Sequence, residues 1–284
     1  MKNSPQNIAI FGPGLLGGSI GYAAQQAGLK VKFWGRSQSK LELVKSQGFD
    51  ASGEVSEVID EADIIILAVP VPNMEALVKQ LITAGLRKDQ IVTDVGSVKA
   101  SVLESIQPLL GQEGYTFIGA HPMAGAETQG FESAYAELLQ GATCILTPDQ
   151  YSDRNALDSL RCFWSAVGMN CMTLPADEHD AMISRVSHVP HILASVCAHV
   201  ALPDAGNGAY AGGGLRDTSR VASGAAHLWR GILSENRAEI VEHLDEAISR
   251  LGQYKAALQG ADDDLLESLL AEDKGARDSY YNAP

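Results

Sequence analysis

The stretch IAIFGPGLLGGS, residues 8–19, decides the fold of this chain. Its first four residues form an apolar run of strand length, and a helical pattern opens at Leu15. Between them, Gly12, Gly14 and Gly17 match the spacing G-x-G-x-x-G, with Gly18 as a further small residue. The first glycine permits a tight turn, the second lets the backbone approach a pyrophosphate, and the third lets helix and strand pack closely. The stretch therefore predicts a dinucleotide site, with the phosphates at the helix N-terminus.

Composition narrows the class of protein. A length of 284 residues suggests two domains, and a hydrophobic content of 45% suits a chain that buries a real core. The net charge of −14 argues against nucleic-acid and anionic-membrane partners. The longest apolar stretch, residues 64–69, is too short to span a bilayer, and we expect no signal peptide. The four cysteines lack CxxC spacing, so we expect a cytoplasmic protein without disulfides.

The first part of the chain alternates between strand and helix patterns. The predicted strands are residues 8–11, 31–34, 64–69, 91–94, 116–118, 143–146 and 170–173. The predicted helices are residues 15–26, 40–47, 74–82, 98–110 and 157–167. Such alternation predicts a parallel sheet covered on both faces, which binds ligands beyond the carboxyl ends of its strands.

From Ala176 onward only helical patterns follow, separated once by a glycine-rich insert at 205–214. These helices are residues 176–187, 191–201, 225–234, 237–258 and 265–270. We therefore predict an α/β, Rossmann-like dinucleotide-binding domain at 1–174 and an all-helical domain at 175–284. The later helices carry wide apolar stripes that need burial, either in a bundle within the chain or against a partner subunit.

The end of the second strand bears on cofactor choice. Residues 33–37 read FWGRS, with no acid to accept hydrogen bonds from the ribose hydroxyls of NAD. Arg36 and Ser37 can hold a 2′-phosphate, with help from Lys40. This pattern favours NADP, and NAD stays open. The alternative is that Arg36 is only a solvated turn residue.

Two polar residues follow strands at the expected binding edge. Ser97 lies between the fourth strand and the next helix, where either Ser97 or Asp94 can also serve as a helix cap. His121 is expected in a loop after the strand at 116–118, where little demands an imidazole for packing. A solvated surface histidine is the alternative to a functional one.

A second group of polar residues precedes and enters the helix at 191–201. Ser187 and His191 are four residues apart and share one helical face. Pro190 is expected to break or kink the helix between them. The pair His188 and His191 has metal-ligand spacing but no third ligand beside it, so we predict no metal site.

Residues 214–220, GLRDTSR, supply positive charge in an acidic half of the chain. In a helix, Arg216 and Arg220 lie on one face. An ion pair between Asp217 and Arg220 is one interpretation. The other is that a guanidinium group binds a substrate carboxylate through two hydrogen bonds.

The motifs GPGLLGGS, TDVGSVK, HPMAGAE, ADEHD, SHVPH and GLRDTSR occur in this order from residue 8 to 220. Together they resemble the prephenate/arogenate dehydrogenase family of tyrosine biosynthesis. The resemblance implies an NAD(P)-dependent oxidative decarboxylation: prephenate gives 4-hydroxyphenylpyruvate, or arogenate gives tyrosine, with loss of CO2. It also implies a homodimer formed through the C-terminal helices.

The resemblance assigns roles to particular residues. His121 accepts the proton of the substrate hydroxyl, Ser97 orients that hydroxyl, and Arg220 binds a carboxylate with Arg216 as a helper. His191 and Ser187 contact the substrate or nicotinamide region, and Glu127 favours prephenate over arogenate. The predicted cofactor contacts are Gly12, Gly14, Leu15, Leu16, Gly17, Arg36, Ser37, Val69 and Pro70.

Two rival functions remain. A β-hydroxyacid dehydrogenase is expected to carry a catalytic lysine on the first helix of its second domain, but residues 176–200 contain none. A module that binds the nucleotide without turnover does not need His121, Ser97 and Arg220 to converge. The main prediction requires His121 and Arg220 to face one cleft.

Overall fold

The computed structural model describes residues 5–126 and 128–281. The chain divides into two compact units, Met1–Asn236 and Arg237–Pro284. In the described residues, the last strand ends at Thr173 and only helices and helical turns follow. No helix there is long and apolar enough to cross a membrane.

A parallel sheet forms the centre of the first unit. Its strands run in the order β3-β2-β1-β4-β5-β6, and every pair is parallel. The strands are β1 Asn7–Phe11, β2 Lys30–Trp34, β3 Asp50–Ser52, β4 Ile64–Leu67, β5 Ile91–Asp94 and β6 Thr116–Phe117. The predicted Rossmann-like sheet is confirmed. β3 is not among the predicted strands, because three residues with one buried side chain give too short a periodic signal.

Helices cover both faces of this sheet. Along β1, Ile8 and Ile10 belong to one apolar core, and Ala9 and Phe11 belong to another, as side-chain alternation requires. The helices of the first unit are α1 Leu15–Gln26, α2 Gln38–Ser46, α3 Val55–Ile59, α4 Met74–Thr83, α5 Ala100–Ile106, α6 Arg154–Ala166, α7 Ala176–Ile183, α8 Val189–Ala201, α9 Gly213–Ser219 and α10 Ala226–Glu235.

A second, three-stranded sheet holds β7 Gly119–Pro122, β8 Thr143–Thr147 and β9 Asn170–Thr173. β7 pairs antiparallel with β8, and β8 pairs parallel with β9. The prediction that His121 lies in a loop is therefore wrong: it sits in β7, opposite Ile145. Glycine and proline suggested a loop, but β7 is an edge strand and Pro122 is its last residue, a position where the missing N–H is tolerated.

The helical path from α7 to α8 is continuous. A π-helical turn, Ser184–His188, joins them, and the chain stays helical from 176 to 201. The predicted break at Pro190 does not occur: this residue is the second of α8 and follows directly on the π-helical turn, where the regular i→i−4 pattern is already interrupted. The irregularity lies one step earlier, in the wider π-helical turn.

The second unit consists of α11 Arg237–Gly260 and α12 Asp263–Tyr281, which pack against each other. Arg250 on α11 donates to Asp273 on α12 at 2.7 Å and to the carbonyl oxygen of Leu269 at 2.9 Å. The apolar side chains of Ile248 and Leu251 on α11 are more than half exposed in the single chain.

Candidate active site

Steric contacts require glycine at two positions of the turn after β1. Gly12 has φ +120°, and a Cβ there would lie 2.2 Å from the carbonyl oxygen of Ala68. A Cβ on Gly17 would lie 2.2 Å from the carbonyl oxygen of Gly12, so α1 packs directly on the turn. By contrast, a Cβ on Gly14 would meet nothing within 4 Å. Gly14 therefore faces open space, where a ligand can approach the backbone.

A cleft of about 390 Å³ opens at this turn. It is lined by Gly12, Pro13, Gly14, Trp34, Gly35, Arg36, Ser37, Lys40, Ala68, Val69 and Pro70. Of the other predicted contacts, Leu15, Leu16 and Gly17 form the first turn of α1. That turn has no acidic residue and no side-chain cap, so its N–H groups are available to an anion. These residues fit a dinucleotide, whose pyrophosphate the N–H groups would hold.

A buried ion pair between the end of β5 and the start of α5 also makes hydrogen bonds to β7. The Nζ atom of Lys99 donates to the carboxylate of Asp94, and both side chains are almost fully buried. The same Nζ donates to the carbonyl oxygen of Ala120 at 3.0 Å. The Asp94 carboxylate also accepts from the N–H groups of Gly96 at 2.7 Å and Ala120 at 3.2 Å. The strand residue just before His121 is thus fixed to the 94–99 loop.

Ser97 lies half-buried in that loop. The loop is held at one end by Asp94 and at the other by Asp180 of α7, whose carboxylate accepts from the N–H groups of Lys99 at 2.8 Å and Ala100 at 2.9 Å. Asp180 therefore caps α5, and the alternative that Ser97 or Asp94 caps it is wrong. α5 also begins two residues later than predicted, at Ala100. Among the described residues, no hydrogen bond joins Ser97 to His121.

His121 is linked to α7 by a chain of hydrogen bonds. Its Nδ1 atom lies 2.9 Å from Nε2 of His179, and Nδ1 of His179 lies 2.7 Å from Oδ1 of Asp180. All three residues are buried. Burial, the neighbouring ring of His179 and the cation of Lys99 hold the pKa of His121 well below its usual value of 6.5. His121 is therefore neutral near pH 7, as a general base requires.

His188 lies beside this chain. Its Nδ1 atom is 3.2 Å from the side-chain amide nitrogen of Asn236, which also donates to the carbonyl oxygen of Asp180 at 2.8 Å. Its Nε2 atom is buried with no hydrogen-bond partner among the described residues. Burial lowers the pKa of His188 to about 4, against the opposing charge of Asp180.

His191 is held by an aromatic stack rather than by a carboxylate. Its ring lies parallel to that of Trp229 on α10, with centroids 3.5 Å apart and planes 9° apart. Gly224 makes this possible, because a Cβ there would lie 2.3 Å from the indole nitrogen of Trp229. Ser187, in the π-helical turn, is half-buried. His191 and Ser187 thus lie along one continuous helical path with His179.

The predicted arginines lie on α9 and just beyond it. Arg216 is exposed on α9, and Arg220 is exposed at the start of a 3₁₀ turn, Arg220–Ser223, that packs against α8. A shared cleft for Arg220 and His121 stays a prediction. Glu127 lies outside the described residues. Among those described, no group of three or more His, Cys, Asp or Glu side chains is arranged to hold a metal ion.

Four residues of this network have no role predicted from the sequence: Lys99, His179, Asp180 and Asn236. A signal was available for two of them. The buried face of α7 carries residues 176, 179, 180 and 183 at helical spacing, and two of these four are His and Asp. Ionisable residues at core-facing positions need partners, and they mark a polar network worth locating.

Known proteins are similar to this chain over most of its length. A family model described as "Prephenate dehydrogenase, nucleotide-binding domain" matches residues 20–173, and one described as "Prephenate dehydrogenase, dimerization domain" matches residues 175–272. The chain is 30% identical to a cyclohexadienyl dehydrogenase of Zymomonas mobilis, covering 96% of this chain and 95% of that protein. It is 29% identical to a prephenate dehydrogenase of Bacillus subtilis, covering 99% and 81%.

A solved structure is similar over the same extent. Prephenate dehydrogenase from A. aeolicus, in complex with hydroxyphenyl propionate and NAD⁺, superposes with a TM-score of 0.87 at 28% identity. The match covers 99% of this chain and all of that one. With the glycine turn, the buried histidine of β7 and both family domains in place, the chain belongs to the prephenate dehydrogenase family of NAD(P)-dependent oxidoreductases.

Proposed function

We propose that this protein catalyses the oxidative decarboxylation of prephenate to 4-hydroxyphenylpyruvate. Arogenate, which would give tyrosine, is the alternative substrate of the same site, and one enzyme can use both. The observation that carries the proposal is His121: a buried imidazole with a lowered pKa, in a chain of this family. The relative from Zymomonas mobilis, named a cyclohexadienyl dehydrogenase, supports the dual alternative.

In this proposal the imidazole of His121 accepts the proton of the ring hydroxyl, while Ser97 donates to and orients the same oxygen. A bound NAD(P)⁺ would supply the hydride acceptor for the carbon that bears this hydroxyl. The ring then becomes aromatic as its carboxylate leaves as CO2, so no metal is needed to hold the electrons. A positioned base of this kind contributes about 10²–10⁴ in rate.

Substrate carboxylate binding is assigned to Arg220, with Arg216 as a helper, and His191 and Ser187 contact the substrate or nicotinamide. The parallel stack of His191 on Trp229 supports a positioning role for that ring. Loss of Arg220 would leave a carboxylate without its partner and should cost about 2–5 kcal/mol of binding. Glu127 retains its assignment to the preference for prephenate.

We propose NADP as the preferred cofactor. No acidic side chain lines the cleft at the end of β2, whereas Arg36 and Lys40 do. Ser37 caps α2, its Oγ accepting from the N–H of Lys40 at 3.5 Å. The cleft therefore combines a helix N-terminus with two cations, a combination that suits a 2′-phosphate.

Dissociation constants for NADP⁺ and NAD⁺ test this preference. Removal of a charge-assisted hydrogen bond costs about 1.5–3 kcal/mol, so Arg36→Ala should weaken NADP⁺ binding about 10- to 100-fold and leave NAD⁺ binding nearly unchanged. Lys30→Ala, an exposed cation at the opposite end of the same strand, is the matched control. Equal loss for both cofactors would contradict the assignment.

We propose that two copies associate through the C-terminal helices. Within the second unit, Ile248, Leu251 and Leu258 of α11 are 57%, 58% and 66% exposed, an apolar surface that a partner subunit would cover. We also retain 174/175 as the boundary between the dinucleotide-binding domain and the helical domain, since the two matched family domains meet there.

One assay grid tests the reaction itself. Prephenate and arogenate are each combined with NAD⁺ and NADP⁺, and reduced nicotinamide is followed by its absorbance. His121→Asn should keep cofactor affinity and lose at least about 100-fold in turnover. His199→Asn, an exposed histidine of α8, is the matched control and should keep full activity. Unchanged turnover in His121→Asn, or no turnover in any cell of the grid, would refute the proposal.

A further inference from the structure

The hydrogen bonds behind His121 determine which ring nitrogens carry a proton. Asp180 receives N–H groups from Lys99 and Ala100 on its two carboxylate oxygens. An ionised carboxylate can only accept, so the third contact, from Nδ1 of His179 at 2.7 Å, requires that this nitrogen carry a proton.

The proton on Nδ1 of His179 also decides the state of the other nitrogen of this ring. This ring is 0% exposed, and a neutral ring satisfies both of its nitrogens here without placing another cation near Lys99. A neutral imidazole with its proton on Nδ1 has its lone pair on Nε2. That lone pair points to Nδ1 of His121 at 2.9 Å, so His121 is the donor in this bond.

A neutral His121 that donates from Nδ1 has its own lone pair on Nε2. We propose that His179 and Asp180 are positioning residues, which fix the tautomer of His121 so that Nε2 is the atom that accepts the substrate proton. The proposal rests on the base role given to His121 above. Neither residue touches the substrate or the cofactor in this scheme; both act through His121.

The contacts of Asp180 explain why the hydrogen bonds from His121 through His179 to Asp180 keep one donor-to-acceptor direction. Its carboxylate is fixed by two backbone N–H groups at the start of α5, which cannot reverse their polarity. The carbonyl oxygen of Asp180 is fixed separately, by the side-chain amide of Asn236. The backbone thus orients the carboxylate, the carboxylate orients His179, and His179 orients His121.

The first test needs no substrate. Long-range ¹H–¹⁵N correlation spectra of the histidine side chains report which nitrogen of each ring carries a proton, and His121→Asn identifies the His121 signals. We expect His121 to be protonated on Nδ1 and bare on Nε2 near pH 7. A proton on Nε2 of His121, or a doubly protonated His179, would overturn the proposal even if the protein oxidises prephenate.

The second test is Asp180→Asn. Asparagine offers one accepting oxygen and one amide nitrogen, so it loses one of the two backbone contacts; an amide nitrogen in the place of Oδ1 donates to Nδ1 of His179, which reverses both rings and leaves a proton on Nε2 of His121. A comparable change in the serine protease triad costs about 10⁴ in kcat. We expect a loss of about 100-fold or more in kcat, with KM and the Kd of the cofactor changed little. A parallel loss of cofactor binding, or a kcat close to that of the unaltered protein, would count against a positioning role.

A third pair of variants separates positioning from stability. His179→Gln keeps an acceptor near the place of Nε2 and should retain more kcat than His179→Ala, although both disturb the same buried space. Thr93→Val is the control, because its hydroxyl is buried without a partner among the described residues and its removal should leave kcat unchanged. Equal kcat in the two His179 variants would indicate a purely structural residue. If no substrate is turned over at all, the proposed reaction fails while the tautomer spectrum still decides this inference.

Discussion

Replacement of Lys99 by Met tests how the protein holds β7 against the 94–99 loop. The methionine side chain is one atom shorter than lysine and uncharged, so it leaves the buried carboxylate of Asp94 without its cation and the carbonyl oxygen of Ala120 without a donor. Breaking one side of a buried ion pair costs about 3–5 kcal/mol. Two N–H groups, from Gly96 and Ala120, still reach the carboxylate, so we expect a loss near the lower end, about 3 kcal/mol.

Chemical denaturation followed by circular dichroism measures this loss. Asp94→Asn combined with Lys99→Met removes both charges and should recover about 1–2 kcal/mol relative to Lys99→Met alone, because pairs in contact are non-additive. Lys79→Met is the control: its pair with Glu75 is exposed, and such pairs contribute about 0.2–1 kcal/mol. A loss of unfolding free energy in Lys99→Met no larger than that in Lys79→Met would contradict this expectation, as would a double variant no more stable than Lys99→Met.

Two further perturbations follow from the geometry. Gly17→Ala places a Cβ against the carbonyl oxygen of Gly12 and should lower the melting temperature, whereas the Cβ of Gly14→Ala meets no atom and should lower only cofactor affinity. Calorimetry measures the melting temperatures, and titration measures the cofactor affinities. An equal loss of melting temperature in the two variants would contradict this expectation. Because the pKa of His188 falls from 6.5 to about 4 on folding, the unfolded chain takes up its proton first. The part of the folding stability that depends on a neutral His188 is therefore fully present above pH 6.5 and is lost as the pH falls toward 4. Unfolding curves from pH 7 to pH 4.5 should show a decline that is smaller in His188→Gln, and identical slopes would refute this origin.

Local patterns predicted the parts of this protein that local physics determines. The glycine turn depends on steric contacts between a few neighbouring residues, and apolar runs predict the buried strands. β7 was misread because an edge strand tolerates the proline that elsewhere signals a loop. The hydrogen-bond chain behind His121 could not be derived from spacing. His121 and His179 are 58 positions apart in the sequence, and Asp180 is 81 positions from Lys99, whose N–H it accepts.

One carboxylate therefore serves two purposes that sequence analysis would treat separately. Asp180 completes the first turn of α5, a stability role, and it sets the direction of the hydrogen-bond chain to His121, a positioning role. The two roles make different demands: capping needs only an acceptor, whereas the chain needs an acceptor that cannot become a donor. An asparagine keeps one of the two accepting oxygens for the cap and brings a donor that the chain does not tolerate. The buried ion pair of Asp94 and Lys99 fixes where β7 lies, and Asp180 fixes which nitrogen of its histidine is basic, so position and protonation are controlled by separate carboxylates.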